Sequence, residues 1–245
     1  MLRLLKALPL VFAIASLCLF AASCGTTSQS QVRVVQAISD ESTGLDVKVN
    51  TSTPFTKVAF GVTQPAPPAY TKVASGSVTL EAVDTGTTTA VIANTNATLN
   101  GSAQYTVVMT GFLTGSGTTA PTFWTIPDTN TAPTSGNVEF RIINASTSSS
   151  PLVGGFDVYI VPPGTAIQNT QPQISGLTLG QGSGYTSLNF AANGYEVVVT
   201  GHQNFQEYVN QVYQTPTSSI RTLVIVDNSG GVGISFFPLV LADLN

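Results

Sequence analysis

Arg33-Val34-Val35-Gln36-Ala37 returns 108 residues later as Arg141-Ile142-Ile143-Asn144-Ala145. From these two stretches the rest of the chain falls into register. Leu45-Asp46-Val47 answers to Phe156-Asp157-Val158, Tyr70-Thr71 to Tyr185-Thr186, and Glu81 through Gly86 to Glu196 through Gly201. The offset grows only between blocks, from 108 to 111 to 115 residues, as insertions confined to loops would make it. Ordered matches of this kind mark a duplicated unit.

Each copy has the patterning of strands. Leu45, Val47 and Val49 alternate with Asp46 and Lys48, and Phe156, Val158 and Ile160 alternate with Asp157 and Tyr159; a period of two is that of a half-buried strand. Val107–Met109, Val197–Val199 and Leu223–Val226 are short continuous apolar runs, the pattern of more fully buried strands. Asn100-Gly101, Pro162-Pro163-Gly164, Asn193-Gly194 and Ser229-Gly230-Gly231 supply turns between them. The expected fold is all-β, with two tandem immunoglobulin-like, Greek-key β-sandwich domains of about seven strands each. They span residues 32–131 and 135–245 and are joined through Asp128–Ser135. One segment conflicts locally: Phe205, Tyr208, Val209, Val212 and Tyr213 have helical spacing. Its counterpart, Thr87–Thr98, is rich in Thr and Asn and poor in helix formers. A duplicated fold therefore predicts a strand at Glu207–Gln211.

The chain opens with a signal peptide, residues 1–23. Arg3 and Lys6 precede an apolar run from Ala7 to about Phe20, short for a membrane span. Ala21-Ala22-Ser23-Cys24 then resembles the lipobox of bacterial lipoproteins, in which the cysteine is acylated and becomes the new N-terminus. Ordinary cleavage near Ala22 or Ser23, leaving a free Cys24, is the alternative. Residues 24–31 would form a tether. Cys18 is removed with the signal, so Cys24 alone remains and no intramolecular disulfide can form.

Charge excludes other classes. Only 8% of residues are charged, and without Arg3 and Lys6 there are 6 basic residues against 12 acidic. No basic patch is available for nucleic acid. An apolar content of 42% still allows a packed core.

The repeated pattern resembles the bacterial domain-of-unknown-function family 4397. The matching residues are Val32–Ala37, Leu45–Val49 and Tyr105–Gly111 in the first copy. In the second they are Phe140–Ser146, Phe156–Ile160 and Thr222–Asp227. The resemblance implies an exported or lipid-anchored β-sandwich protein, often with the domain in tandem. The family's usual His in the opening strand is Gln36 in one copy and Asn144 in the other, so a role needing imidazole there is not carried over.

Residues able to do chemistry are sparse. His202 is the only histidine, and a loop position after Gly201 explains it without a metal or a triad. Spacing alone does not exclude a Ser-His-Asp arrangement, which assembles in space, but no Gly-x-Ser-x-Gly elbow occurs. Gly180, Gly182 and Gly184 precede an expected strand and not a helix, unlike a phosphate-binding loop. Asp40, Glu41 and Asp128 are oxygen donors for a calcium site or plain loop acids. Trp124, Tyr208 and Tyr213 either fill a core or form an aromatic platform for sugars or peptides; Trp124 aligns with Phe236-Phe237 and so points to a shared core strand. In a chain this poor in charge, the repeated Arg33 with Asp46 and Arg141 with Asp157 predict one structural ion pair per domain across adjacent strands. No catalytic residue, metal or cofactor is expected. The reading is a non-enzymatic, exported and lipid-anchored protein of the bacterial envelope, on the outer membrane or the cell surface. It would act as a binding, adhesion or structural module whose partners are the membrane and a glycan or envelope protein. A secreted hydrolase of glycans or esters is the alternative.

Overall fold

A computed structural model describes residues 28–228 and 235–244; the signal sequence and Cys24 lie outside them. The first half runs through β1 (Ser30–Gln36), β2 (Leu45–Val49), β3 (Ser52–Val58), β4 (Thr63–Gln64), β5 (Thr71–Val73), β6 (Gly76–Asp84), β7 (Ala90–Leu99), β8 (Gln104–Thr110) and β9 (Thr122–Asp128). The second runs through β10 (Asn137–Asn144), β11 (Phe156–Val161), β12 (Ile174–Leu177), β13 (Gln181–Gly182), β14 (Thr186–Asn189), β15 (Tyr195–Gly201), β16 (Glu207–Tyr213), β17 (Ile220–Asp227) and β18 (Phe236–Leu244). The fold is all-β, and strand for strand the halves share one topology. In the first, β4-β1-β8-β9, with β5 also on β1, faces β3-β2-β6-β7; in the second, β13-β10-β17-β18, with β14 also on β10, faces β12-β11-β15-β16. Among the described residues each half has nine strands where about seven were expected. The sequence pattern resolves poorly the two short pairs, β4 with β5 and β13 with β14, that share one edge of β1 and of β10.

Alternation decides where each side chain goes. Val32, Val34 and Val107 enter the core of the first sandwich, with Leu45, Val47, Phe55 and Leu80 from the opposite sheet. Phe140, Ile142 and Leu223 do the same in the second, against Phe156, Val158, Val197 and Val199. The residues between them point the other way and meet. Val35, Ala37 and Val108 of one half pack on Ile143, Ala145, Val224, Val226 and Leu241 of the other. The four sheets are therefore stacked, and the two middle ones are buried on both faces. That is why β8 and β17 carry the continuous apolar runs Val107–Met109 and Leu223–Val226, and why each tolerates a parallel neighbour, β1 and β10 respectively.

Glu207–Tyr213 is a strand, paired with β15 throughout. The helical spacing of its apolar residues yields to the tertiary context, since Val209 and Tyr213 are the ones turned into the core while Val212 is exposed. Among the described residues no helix is long and apolar enough to cross a membrane.

Candidate functional site

The seam between the sandwiches holds the chain's most unusual polar chemistry. Arg33 on β1 and Arg141 on β10 leave their strands on the seam side and meet Asp128 and Asp243 at the ends of β9 and β18. Arg33 Nη2 lies 2.5 Å from Asp243 Oδ1, and Arg141 Nη2 lies 2.5 Å from Asp128 Oδ1. Each arginine thus reaches across to the carboxylate of the other half; its own half's carboxylate is farther, at 3.5 and 3.8 Å. Arg33 Nε donates to Thr106 Oγ1 and Arg141 Nε to Thr222 Oγ1, both at 2.9 Å, and these threonines donate in turn to Asp128 and Asp243. Tyr70 and Tyr185 cover the two guanidinium groups at 4.9 and 4.8 Å. All four charged side chains are within 2% of complete burial. Burial opposes the charge on Arg141, but Asp128, Tyr185 and Asp243 together outweigh it and hold the pKa above the ordinary value. Burial, with Asp128 beside it, pushes the Tyr70 phenol well up.

These pairs replace the ones expected from the sequence. Arg33 does not pair with Asp46, nor Arg141 with Asp157, because β1 and β2 lie in different sheets, as do β10 and β11. Asp46 instead accepts from the Lys57 N–H at 2.8 Å and from Thr85 Oγ1 at 3.0 Å. Asp157 accepts from the N–H groups of Gly176 and Gln203 at 3.0 and 2.9 Å and from Ser175 Oγ at 2.8 Å. The two aspartates do the same job in the two copies, joining the neighbouring strand, β3 or β12, to the turn after β6 or β15. For Asp46, the Lys57 N–H is the main cause of a pKa below the usual carboxylate value. For Asp157, burial pushes upward, and the donors from Gln203, His202, Ser175 and Gly176 outweigh it. Gln36 and Asn144, at the family's histidine position, are buried caps: each accepts from the N–H two residues on, at Ile38 and Ser146. Asp128 belongs to the seam, whereas Asp40 accepts from the exposed Leu113 N–H and Glu41 from Thr43. The three do not form one calcium site. Among the described residues no three His, Cys, Asp or Glu side chains are grouped to hold a metal.

The lone histidine does sit beside a serine and an aspartate. Its Nδ1 is 2.9 Å from Asp157 Oδ1 and 3.4 Å from Ser175 Oγ. In a hydrolytic triad the acid and the nucleophile occupy opposite nitrogens of the ring, so that the base faces the hydroxyl. Here both crowd the same nitrogen, and Ser175 donates to Asp157 directly. The ring packs against Gly154, where an added Cβ would come within 2.4 Å of His202 Cδ2.

The three aromatic candidates separate. Tyr208 lies 5.3 Å from Phe236 and 6.0 Å from Phe156, ring centre to ring centre, and packs on the second core; Tyr213 is part of that core. Trp124 is half-buried and lies outside both sandwich cores. It pairs with Val108 on β8, on the seam face of its sheet, where its counterpart is Leu239, paired with Val224, and not Phe236-Phe237. Trp124 walls two clefts. One, of about 560 Å³, opens between Thr110, Thr118, Thr122 and Phe123 of the first half and Ser149, Ser150, Leu152, Thr178, Leu179 and Gly180 of the second. The other, of about 250 Å³, is lined by Thr125, Ile126, Pro127, Arg141 and Gly182–Tyr185. The glycine-rich loop thus forms β13 and the turn after it, beside the indole; a Cβ on Gly182 would lie 3.7 Å from Trp124 Cη2. Sequence reasoning singled out Trp124 but missed its surroundings, because they are assembled from both halves. The usable signal was the position of the glycine-rich loop, absent from the matching place in the first copy.

A search of curated proteins found no match. The family model described as domain of unknown function, DUF4397, matches residues 30–159, which comprise β1 to β10 and the first four residues of β11. The match covers more than half of the chain, and the protein belongs to this family.

Proposed function

We propose that this is a non-enzymatic binding module of the bacterial envelope, exported and held by a lipid on Cys24. What supports the non-enzymatic reading is the arrangement around His202. Hydrolysis at neutral pH needs an activated nucleophile or a metal-bound water. The one imidazole has its Nδ1 shared between Asp157 and Ser175, so no base is aimed at a hydroxyl. Asp157 does in the second copy what Asp46 does in the first, where Thr87 follows Gly86 as His202 follows Gly201. The cluster is thus explained by loop tethering. Binding is favoured by the open clefts at the seam, held between two sandwiches that share a packed layer.

The test is a screen of the purified protein against glycosides, esters, peptides and phosphoesters, with His202→Ala in parallel. No turnover above the variant is expected. Turnover that survives purification and disappears in His202→Ala would replace this reading with a secreted hydrolase of glycans or esters.

A further inference from the structure

The duplication gives every seam position a counterpart, and the two ends of the seam can be compared residue by residue. Gly61 and Gly180 are equivalent, since each donates its N–H to the carbonyl of the matching residue, Gln36 or Asn144, at 2.9 and 3.0 Å. Phe60 therefore corresponds to Leu179. Strand register matches Val226 with Thr110, Phe237 with Thr122, and Leu239 with Trp124. At one end Phe60 and Phe237 meet edge to face at 6.0 Å, and Phe237 closes to within 3.4 Å of where a Cβ on Gly61 would be. At the other end the same places hold Leu179 and Thr122, and the 560 Å³ cleft opens there. Two large rings have become a leucine and a threonine, a valine has become a threonine, and a leucine has become the chain's only tryptophan.

We propose that this cleft binds a neutral saccharide, an inference that rests on the binding reading above. Its volume falls in the range of small-molecule sites, about 300–1,000 Å³. Among the described residues no charged side chain lines it, so it holds no countercharge for an anion or a cation. It offers an indole and a set of hydroxyls instead. Thr118, Ser150 and Thr178 line it and make no side-chain hydrogen bond to other described residues. An aromatic face for the apolar side of a sugar ring, with hydroxyls for its rim, matches a ligand that is polar at its edge and uncharged.

Trp124 supplies its own probe. Emission of the intact protein would be recorded while neutral oligosaccharides built from glucose, N-acetylglucosamine, mannose or xylose are added up to millimolar concentration, with a uronic-acid oligomer alongside. A saturable shift is expected with at least one neutral sugar and not with the acidic one. Leu179→Phe, which copies the closed end of the seam, should abolish the response while leaving the melting transition unchanged. Thr118→Ala with Thr178→Ala should weaken binding by about fivefold for each hydroxyl the sugar engages, and it keeps the test open should the phenylalanine not be accommodated. No shift with any neutral sugar, an equal response to the uronate, or full binding in both variants overturns the proposal and leaves the non-enzymatic reading standing. Binding followed by cleavage of the sugar would retain the site and overturn that reading.

Discussion

Replacing Asp128 by Asn removes one charge from a buried group of four while keeping the shape of the side chain. Asp128 Oδ1 faces Arg141 Nη2 at 2.5 Å, and Oδ2 accepts from Thr106 and Tyr70 at 2.7 and 2.8 Å with Arg33 Nη2 at 3.5 Å. An amide can keep one of these oxygens and must turn an NH₂ toward the other set. Two guanidinium groups would then share the single carboxylate of Asp243. Breaking a buried pair by removing one partner costs about 3–5 kcal/mol, a large part of the ~5–15 kcal/mol that holds a typical protein together. At about 2–4 °C per kcal/mol for a chain of this size, the melting temperature should fall by roughly 6–20 °C. Urea denaturation followed by Trp124 emission reads the loss at the seam itself. The companion variant replaces all four groups, with Met for Arg33 and Arg141 and Leu for Asp128 and Asp243. Removing a buried ion group whole is often neutral or stabilising, so this variant should recover most of the loss. If Asp128→Asn stays within about 1 kcal/mol of the wild type, which is the range of a surface ion pair, the quartet does not lock the seam and the reasoning fails.

Two buried aspartates should respond to pH with opposite signs. The Asp157 pKa is lowered on folding, so its contribution is present above about pH 4 and is lost as pH falls through the folded value; Asp157→Asn should lower the urea midpoint at pH 7 and converge on the wild type in acid. Asp227 is 1% exposed; burial raises its pKa, and the donors at Ser146 and Ser148 only partly counter this. Ionising it costs stability as pH rises from about 4 through the folded value, so Asp227→Asn should be the more stable protein at pH 7, with the gap closing in acid; an equal or lower midpoint would contradict this. Metabolic labelling with a fatty-acid analogue should mark the wild type and not Cys24→Ser, and equal labelling of both would exclude lipid on that residue.

The duplication was legible because each copy keeps the same few charged residues on strands of plain apolar composition, and the β assignment of Glu207–Tyr213 follows from it against the local helical spacing. Which charges meet was not legible. Arg33 and Asp46 are close in the chain, but alternation places Arg33 on the outer face of one sheet, and the following hairpin carries Asp46 into the other. The actual partner, Asp243, is 210 residues away and belongs to the other copy, a separation that no pattern within one repeat encodes. Trp124 shows the same boundary. Its strand was identifiable, whereas its face was not, because an aligned pair of phenylalanines suggested a shared core and the true register is displaced by two to three residues. Patterns of period two report that a face is buried; they do not say whether a sheet or a second domain buries it.

The stacked middle sheets imply that neither half is complete without the other, and the cleft exists only while they are joined. Scanning calorimetry of the chain from residue 24 onward, carrying Cys24→Ser, tests this most directly. A single transition is expected, with equal calorimetric and van't Hoff enthalpies and a total of roughly 150 kcal/mol at about 0.7 kcal/mol per residue. Two resolved transitions, or a van't Hoff enthalpy near half the calorimetric one, would mean that the sandwiches unfold independently and that the seam is not a built site.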